Sequence, residues 1–190
     1  MNKNRLNKKS YEQNKMNAAQ IVHVFNSLFS ESYNTRLSGG FSEPFYKAAR
    51  RPHDLHEIQY REDFVSSVLH EIAHWCLAGS RRRTQDDYGY WYIKERCKDQ
   101  QVRFQRLEAK PQGLEWILSI AAGVDFRVSC DNFEVESLDL TLFRQLVRQQ
   151  AVAQVEAGLL QRTRQLVDAL VEVSGETGYM NACQYKGLPK

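Results

Sequence analysis

The sequence predicts a mostly helical α+β fold. Two observations carry that reading. Apolar residues recur at helical spacing over two stretches of the first half and most of the second. Between residues 30 and 61, short aromatic or β-branched segments are punctuated by Asn34, Gly39, Gly40, Pro44 and Pro52. The composition adds a bound. With 190 residues, 42% hydrophobic and 26% charged, the chain can bury a core without metals or cross-links. That excludes a wholly disordered chain, a collagen and a disulfide-stapled scaffold.

The elements follow in order. Met16 to Phe29 reads as a helix, with Ile21, Val24, Phe25 and Leu28 on one face. Short strands are expected around Phe45-Tyr46 and Ile58-Tyr60. A second helix runs from about Glu62 to Leu77 on the stripe Phe64, Val65, Val68, Leu69, Ile72 and Trp75, with Gly79 as its stop. Residues 80–107 are the least regular. The alternation of Val102 and Phe104 with Arg103 and Gln105 predicts a short strand there. A third helix is expected from Pro111 to Ala122, with Pro111 in its first turn and Leu114, Ile117, Leu118 and Ala121 buried. Two more helices are expected near Leu138–Glu156 and Gln161–Val173, separated at Gly158, with Leu142, Leu146 and Val152 facing inward.

Charge divides the chain unevenly. Residues 1–15 hold Lys3, Arg5, Lys8, Lys9 and Lys15 against Glu12, a net of +4, whereas the whole chain is +3. The rest is therefore nearly neutral. Residues 1–15 read as a basic disordered tail and residues 16–190 as a single domain. Direct nucleic-acid binding across the domain is not expected. No apolar run approaches the roughly 18 residues of a membrane span. The first 17 residues lack the apolar stretch of a signal peptide, so a cytoplasmic location is expected, with Cys76, Cys97, Cys130 and Cys183 as reduced thiols.

The chemistry concentrates in His70-Glu71-Ile72-Ala73-His74. Residues i and i+4 lie one turn apart on one helix face, so two imidazoles can converge on one ion. Glu71 points roughly 100° around the helix and flanks such a site. Val68, Leu69, Ile72 and Trp75 surround the pair, which argues against two solvated surface histidines. A third ligand is needed. His23, His53 and His56 are not specified by their positions. Glu108, Glu115 and Asp131 compete as the carboxylate, and Gln112 shares the face of Glu108 and Glu115. Zinc at such a centre would activate water, with Glu71 as general base of a metallopeptidase. Ferrous iron would leave positions open for dioxygen and substrate. A catalytically silent, metal-stabilised binding domain is the third reading.

Further residues carry a resemblance. Phe25-Asn26-Ser27, Tyr33-Asn34-Thr35-Arg36-Leu37, Glu43-Pro44, the His70–Cys76 stretch and Ala78-Gly79 are similar to the elongation factor P hydroxylase family. So are the run Tyr88 to Tyr92, Glu108 with Lys110-Pro111-Gln112, Trp116, Ala121-Ala122-Gly123 and Val128 to Asn132. Residues 20–135 carry most of it. The chain departs from the family pattern at Glu62-Asp63, where members have a His-Gly pair. The resemblance implies a metalloprotease-like (zincin-like) helix pair and a metal held by His70, His74 and Glu108. It implies hydroxylation of a lysine side chain on translation elongation factor P, after that lysine has received a lysyl group. Iron is the implied metal and dioxygen the oxidant; no second cosubstrate is implied.

Two groups of residues suit substrate contact. Tyr88, Tyr90, Trp91 and Tyr92 either embrace an alkylammonium chain by cation–π contact or pack as a hydrophobic rim. Asp131 either pairs with a substrate amine or closes an Asx-turn beside Asn132. The run Arg81-Arg82-Arg83 reads either as a docking patch for an acidic partner or as a solvated cluster.

Overall fold

A computed structural model of the chain describes residues 15–89, 98–129 and 140–189. Its α-helices are α1 (Ala18–Phe29), α2 (Val65–Leu77), α3 (Lys98–Ala121), α4 (Leu140–Ala157) and α5 (Gln161–Ser174). Between α1 and α2 lie β1 (Thr35–Phe41), β2 (Phe45–Lys47) and β3 (His56–Arg61). They form one sheet in the order β1-β3-β2, with β1 parallel and β2 antiparallel to β3. The mostly helical α+β class therefore holds.

Helix α1 starts where its chemistry demands. Asn17 Oδ1 accepts from the Gln20 backbone N–H at 2.9 Å, and Gln20 Oε1 accepts from the Asn17 N–H at 2.9 Å. This reciprocal capping box satisfies two otherwise orphaned donors. Ile21, Phe25 and Phe29 are fully buried at a spacing of four. Phe25 and Phe29 meet Trp75 of α2 with ring centroids 5.0 and 4.9 Å apart, which joins the first helix to the helix carrying the histidines. Across the sheet, Leu37 and Tyr46 both pair with Ile58, and all three side chains are buried.

The exposed side of β1 is covered by a side chain. Asn26 of α1 donates from Nδ2 to the Leu37 carbonyl (3.1 Å) and accepts at Oδ1 from the Leu37 N–H (2.7 Å). On the other edge, the Asp87 carboxylate accepts from the Tyr46 N–H and the Asp86 carboxylate from the Ala48 N–H. Both edges of the small sheet are thus paired without a further strand, which guards against edge-to-edge association.

Helix α2 carries the His-Glu pair motif and is held at its C-terminal end from a distance. Arg162 of α5 donates from Nη2 to the carbonyls of Cys76 (2.9 Å) and Ala78 (2.7 Å). Arg83 donates to the Ala78 carbonyl at 2.7 Å. The Arg162 guanidinium lies 4.7 Å from the Trp75 ring centroid. A cation at a helix C-terminus satisfies orphan carbonyls and complements the dipole. Arg162→Ala should therefore cost about 3 kcal/mol of unfolding free energy, from charge-assisted hydrogen bonds and a cation–π contact. Urea denaturation checks this; a loss below about 0.5 kcal/mol, the scale of an ordinary surface substitution, would contradict it.

Several elements differ from expectation. Residues 102–104 are not a strand: α3 begins at Lys98, and Pro111 sits inside it rather than in its first turn. A strand, β1, lies in the mixed segment 30–61, where strands are expected only around Phe45-Tyr46 and Ile58-Tyr60. In α4 the inward face is Phe143, Val147, Ala151 and Val155, while Leu142 is 54% exposed and Leu146 and Val152 are only partly buried. Arg82 and Arg83 are not a free docking patch, since Arg82 Nε donates to the Tyr88 carbonyl and Arg83 caps α2. Helices α3 and α4 cross closely at Gly113, where a Cβ would lie 2.8 Å from the Ala151 nitrogen. Lys15, at the end of the basic segment, pairs with Asp125 at 2.9 Å.

Candidate metal centre

The buried face of α3 is built from polar residues. Gln101, Gln105, Glu108, Gln112 and Glu115 are all buried, and they fall at steps of four, three, four and three. Such steps place them in one stripe along the helix. The stripe faces α2 at the level of its two histidines.

There the ligand atoms converge. Among the described residues, one group meets the geometry for holding a metal ion: His70, His74 and Glu108. The two Nε2 atoms are 3.1 Å apart, and Glu108 Oε2 lies 3.5 Å from His70 Nε2 and 3.3 Å from His74 Nε2. Donors about 2.1 Å from a shared ion are about 3.0 Å apart at right angles and about 3.4 Å apart at the tetrahedral angle. The triangle therefore fits a first-row divalent ion. Two neutral imidazoles and a carboxylate suit zinc or ferrous iron alike. The side chains are 22%, 12% and 10% exposed in the order His70, His74, Glu108, so the centre is shielded but not sealed.

Glu115, the rival carboxylate, takes a different place. Its Oε2 accepts from His70 Nδ1 at 2.9 Å, and its side chain is 3% exposed. With Nδ1 carrying the hydrogen, His70 Nε2 keeps its lone pair toward His74 and Glu108. Carboxylate, histidine and metal in that sequence is the usual way a ligand's tautomer is fixed. Sequence alone could not separate the two glutamates, because they share one helix face; only the depth at which α2 crosses α3 does.

The carboxylates around the histidines set the electrostatics of the site. Burial pulls the His70 pKa down, but the hydrogen bond and charge of Glu115, with Glu71 and Glu108 nearby, more than offset it and lift it to about 10. Burial also pushes Glu115 up against the pull of His70, so the pair as a whole holds its proton in the absence of metal. Glu71, half-buried beside the histidines, is raised by burial, lowered by His70 and His74, and raised again by Glu108 and Asp87. Asp87 and Tyr88 both adopt left-handed backbone (φ 47° and 55°), a strained turn held against β2.

A narrow cleft with a free volume of about 20 Å³ opens beside the centre, with His70, Glu108, Gln105, Gln112, Phe104 and Phe143 among its walls. Gln112 is committed to the chain: it donates to the Ser129 carbonyl (2.8 Å) and accepts from the Ser129 N–H (3.1 Å).

The other sequence-based candidates separate cleanly. His23 is exposed on α1, and His56 is stacked on Tyr46 (5.9 Å) while its Nδ1 accepts from the Ala49 N–H. Burial lowers the His56 pKa, as does Arg83, which suits that acceptor role. Neither belongs to the ligand group. Tyr88 is 7% exposed and stacks on Tyr46 at 4.2 Å, so it packs rather than greets a ligand. Tyr90, Trp91 and Asp131 lie outside the described residues, as do Cys97 and Cys130. Glu62 and Asp63 are exposed in the turn before α2. Cys76 is buried, with its thiol pushed up to about 12 by burial, and Cys183 is exposed; both are free.

Two histidines from one helix and a carboxylate from a second form a group able to hold a metal ion in a helical α+β frame. The chain matches the family model described as elongation factor P hydroxylase over residues 24–185. It is 43% identical over 152 residues to the elongation factor P lysine hydroxylase of Haemophilus influenzae, a match spanning 80% of this chain and 85% of that protein. The chain belongs to the elongation factor P hydroxylase family.

Proposed function

We propose that this protein hydroxylates a lysine side chain of translation elongation factor P, one already extended by a lysyl group. The metal is held by His70, His74 and Glu108, and the oxidant is dioxygen. The observation that carries the reading is the ligand triangle opening on a cleft, in a chain of a hydroxylase family. We infer that the metal is ferrous iron, since oxygen insertion suits a redox metal with open positions better than zinc. Iron so held supplies the activation of dioxygen.

The chain's own residues do the rest. Helices α2 and α3 act as a zincin-like pair, with the i, i+4 histidines on one and the carboxylate on the other. Glu115 holds the His70 ring in the tautomer that presents Nε2. Phe104 and Phe143 line the cleft with apolar surface that keeps bulk water from the reacting carbon. Glu71 is the flanking catalytic group, held toward its protonated form by burial and so suited to giving a proton rather than taking one from water. Tyr90 and Trp91 are proposed substrate contacts because they follow directly on the turn whose Asp87 acts on Glu71. Asp131 is a third, two residues beyond the Ser129 that Gln112 holds at the cleft. Residues 16–190 work as one domain behind the basic tail 1–15, and a modifier of a translation factor works in the cytoplasm. Among the described residues, no helix is long and apolar enough to cross a membrane.

The test is incubation of iron-loaded protein with lysyl-extended elongation factor P, under air with a reductant. Gain of one oxygen atom on the modified side chain is the expected result; no gain with iron fully bound would overturn the reading. Glu71→Gln separates this chemistry from a zinc peptidase. In the hydroxylase the substitution should keep the metal and lower turnover about 10- to 100-fold. Peptide hydrolysis by wild type that vanishes in Glu71→Gln would instead identify Glu71 as a general base acting on water.

A further inference from the structure

We infer that Gln105 reads the carbonyl that lysyl extension adds to the substrate side chain, and so sets the enzyme's preference for extended over unextended lysine. This rests on the function proposed above and deepens it. Gln105 is 7% exposed, lines the cleft beside His70 and Glu108, and its Nε2 is buried without a hydrogen-bond partner. Buried amide donors are nearly always paired, because an orphan forfeits its hydration with no return. The chain shows what such groups do when a partner is present. Gln112, on the same stripe and lining the same cleft, holds both polar groups of Ser129, and Asn26 does the same to Leu37. Gln105 has the same side-chain amide, lines the same cleft, and its buried Nε2 has no such partner.

The missing partner must be an acceptor, and the two forms of lysine differ in that respect. An unextended lysine ends in an ammonium group, which offers donors and no acceptor. Joining a lysyl group converts that nitrogen into an amide and adds a carbonyl oxygen. Gln105 stands three residues before Glu108 on α3, a rise of about 4.5 Å along the axis. Three bonds of side chain span about 3.8 Å. A methylene can therefore face the ligand triangle while the new carbonyl meets Gln105 Nε2. Unextended lysine in the same position leaves that donor unpaired and sets a cation against it. A site that hydrogen-bonds one substrate rejects an analogue lacking the partner more strongly than an apolar pocket would.

The experiment measures binding of iron-loaded enzyme, without dioxygen, to elongation factor P with and without the lysyl extension. Wild type should prefer the extended form by at least 10-fold. Gln105→Met, which keeps the side-chain shape and removes both polar groups, should lose about 10- to 100-fold for the extended form and little for the unextended one. Gln105→Glu replaces the donor by an acceptor and should reverse the preference; this sign survives even if the methionine variant folds poorly. Metal content and thermal melting of each variant accompany the titrations. Retention of the wild-type preference in both variants overturns the assignment of Gln105. Equal binding of both forms by wild type that still hydroxylates also overturns it, leaving the proposed function in place. Wild type that hydroxylates neither form removes the function and this inference together.

Discussion

Replacing His70, His74 or Glu108 by alanine should leave a folded protein that retains no metal and hydroxylates nothing. Each residue supplies one corner of a triangle whose edges are 3.1–3.5 Å. Removing a corner leaves two donors, and two donors from short, half-buried side chains cannot hold a divalent ion against buffer. The fold should survive because its core is assembled elsewhere. Ile72, Ala73, Trp75 and Cys76 of the same helix are fully buried against α1 and its neighbours. A chain of this length does not need an ion to hold its core. Elemental analysis, circular dichroism and oxygen-transfer assays read the three parts separately. Full metal content in Glu108→Ala would remove Glu108 from the ligand set and make Glu115 the carboxylate to test next.

Removal of the Glu115 carboxylate should have the next largest effect, and its size should depend on pH. The Glu115 hydrogen bond should strengthen His70 as a ligand, and it also strengthens the ring's hold on a proton. With the His70 pKa near 10, the imidazole is protonated at neutral pH until metal displaces that proton. Metal affinity of wild type should thus climb as pH rises from about 7 to about 9, with proton release on binding. Glu115→Leu lowers the proton's affinity and the metal's together. Its deficit should be small near neutrality and widen to about 10- to 100-fold toward alkaline pH. Glu115→Gln keeps an oxygen that can accept from Nδ1–H and should fall between. Competitive titration with a chromophoric chelator across that range checks the trend. A deficit that narrows as pH rises would overturn the role given to Glu115.

Much of this centre was legible in the sequence, and the reasons for the rest are physical. The histidine pair declared itself because i, i+4 spacing on an apolar helix leaves few alternatives. The first half of α3 did not. Its inward face is Gln101, Gln105 and Glu108, so a reading based on apolar periodicity finds nothing there, and Val102 and Phe104 gave the false alternation of a strand. Pro111 compounded the error, since proline is expected at a helix start rather than within one. Strand β1 hid for the opposite reason: Ser38-Gly39-Gly40 offers no side-chain pattern, and its pairing with β3 is specified by the partner strand. Asn26 was visible only as part of a family motif; its bonds to Leu37 show what that motif holds.

The anchoring of α2 by Arg162 bears on when the centre comes into being. A ribosome delivers His70 and His74 first, then Glu108, and only much later the arginine that grips the carbonyls of Cys76 and Ala78, 86 and 84 positions downstream of them. A nascent segment bearing the histidine pair alone is a loose bidentate chelator, open to whichever ion is most competitive in the Irving–Williams order. The grip that fixes the C-terminal end of α2 is complete only after α5 has docked. Discrimination among ions by shape is thus expected of the folded protein, with loading expected to follow translation of α5 rather than accompany it.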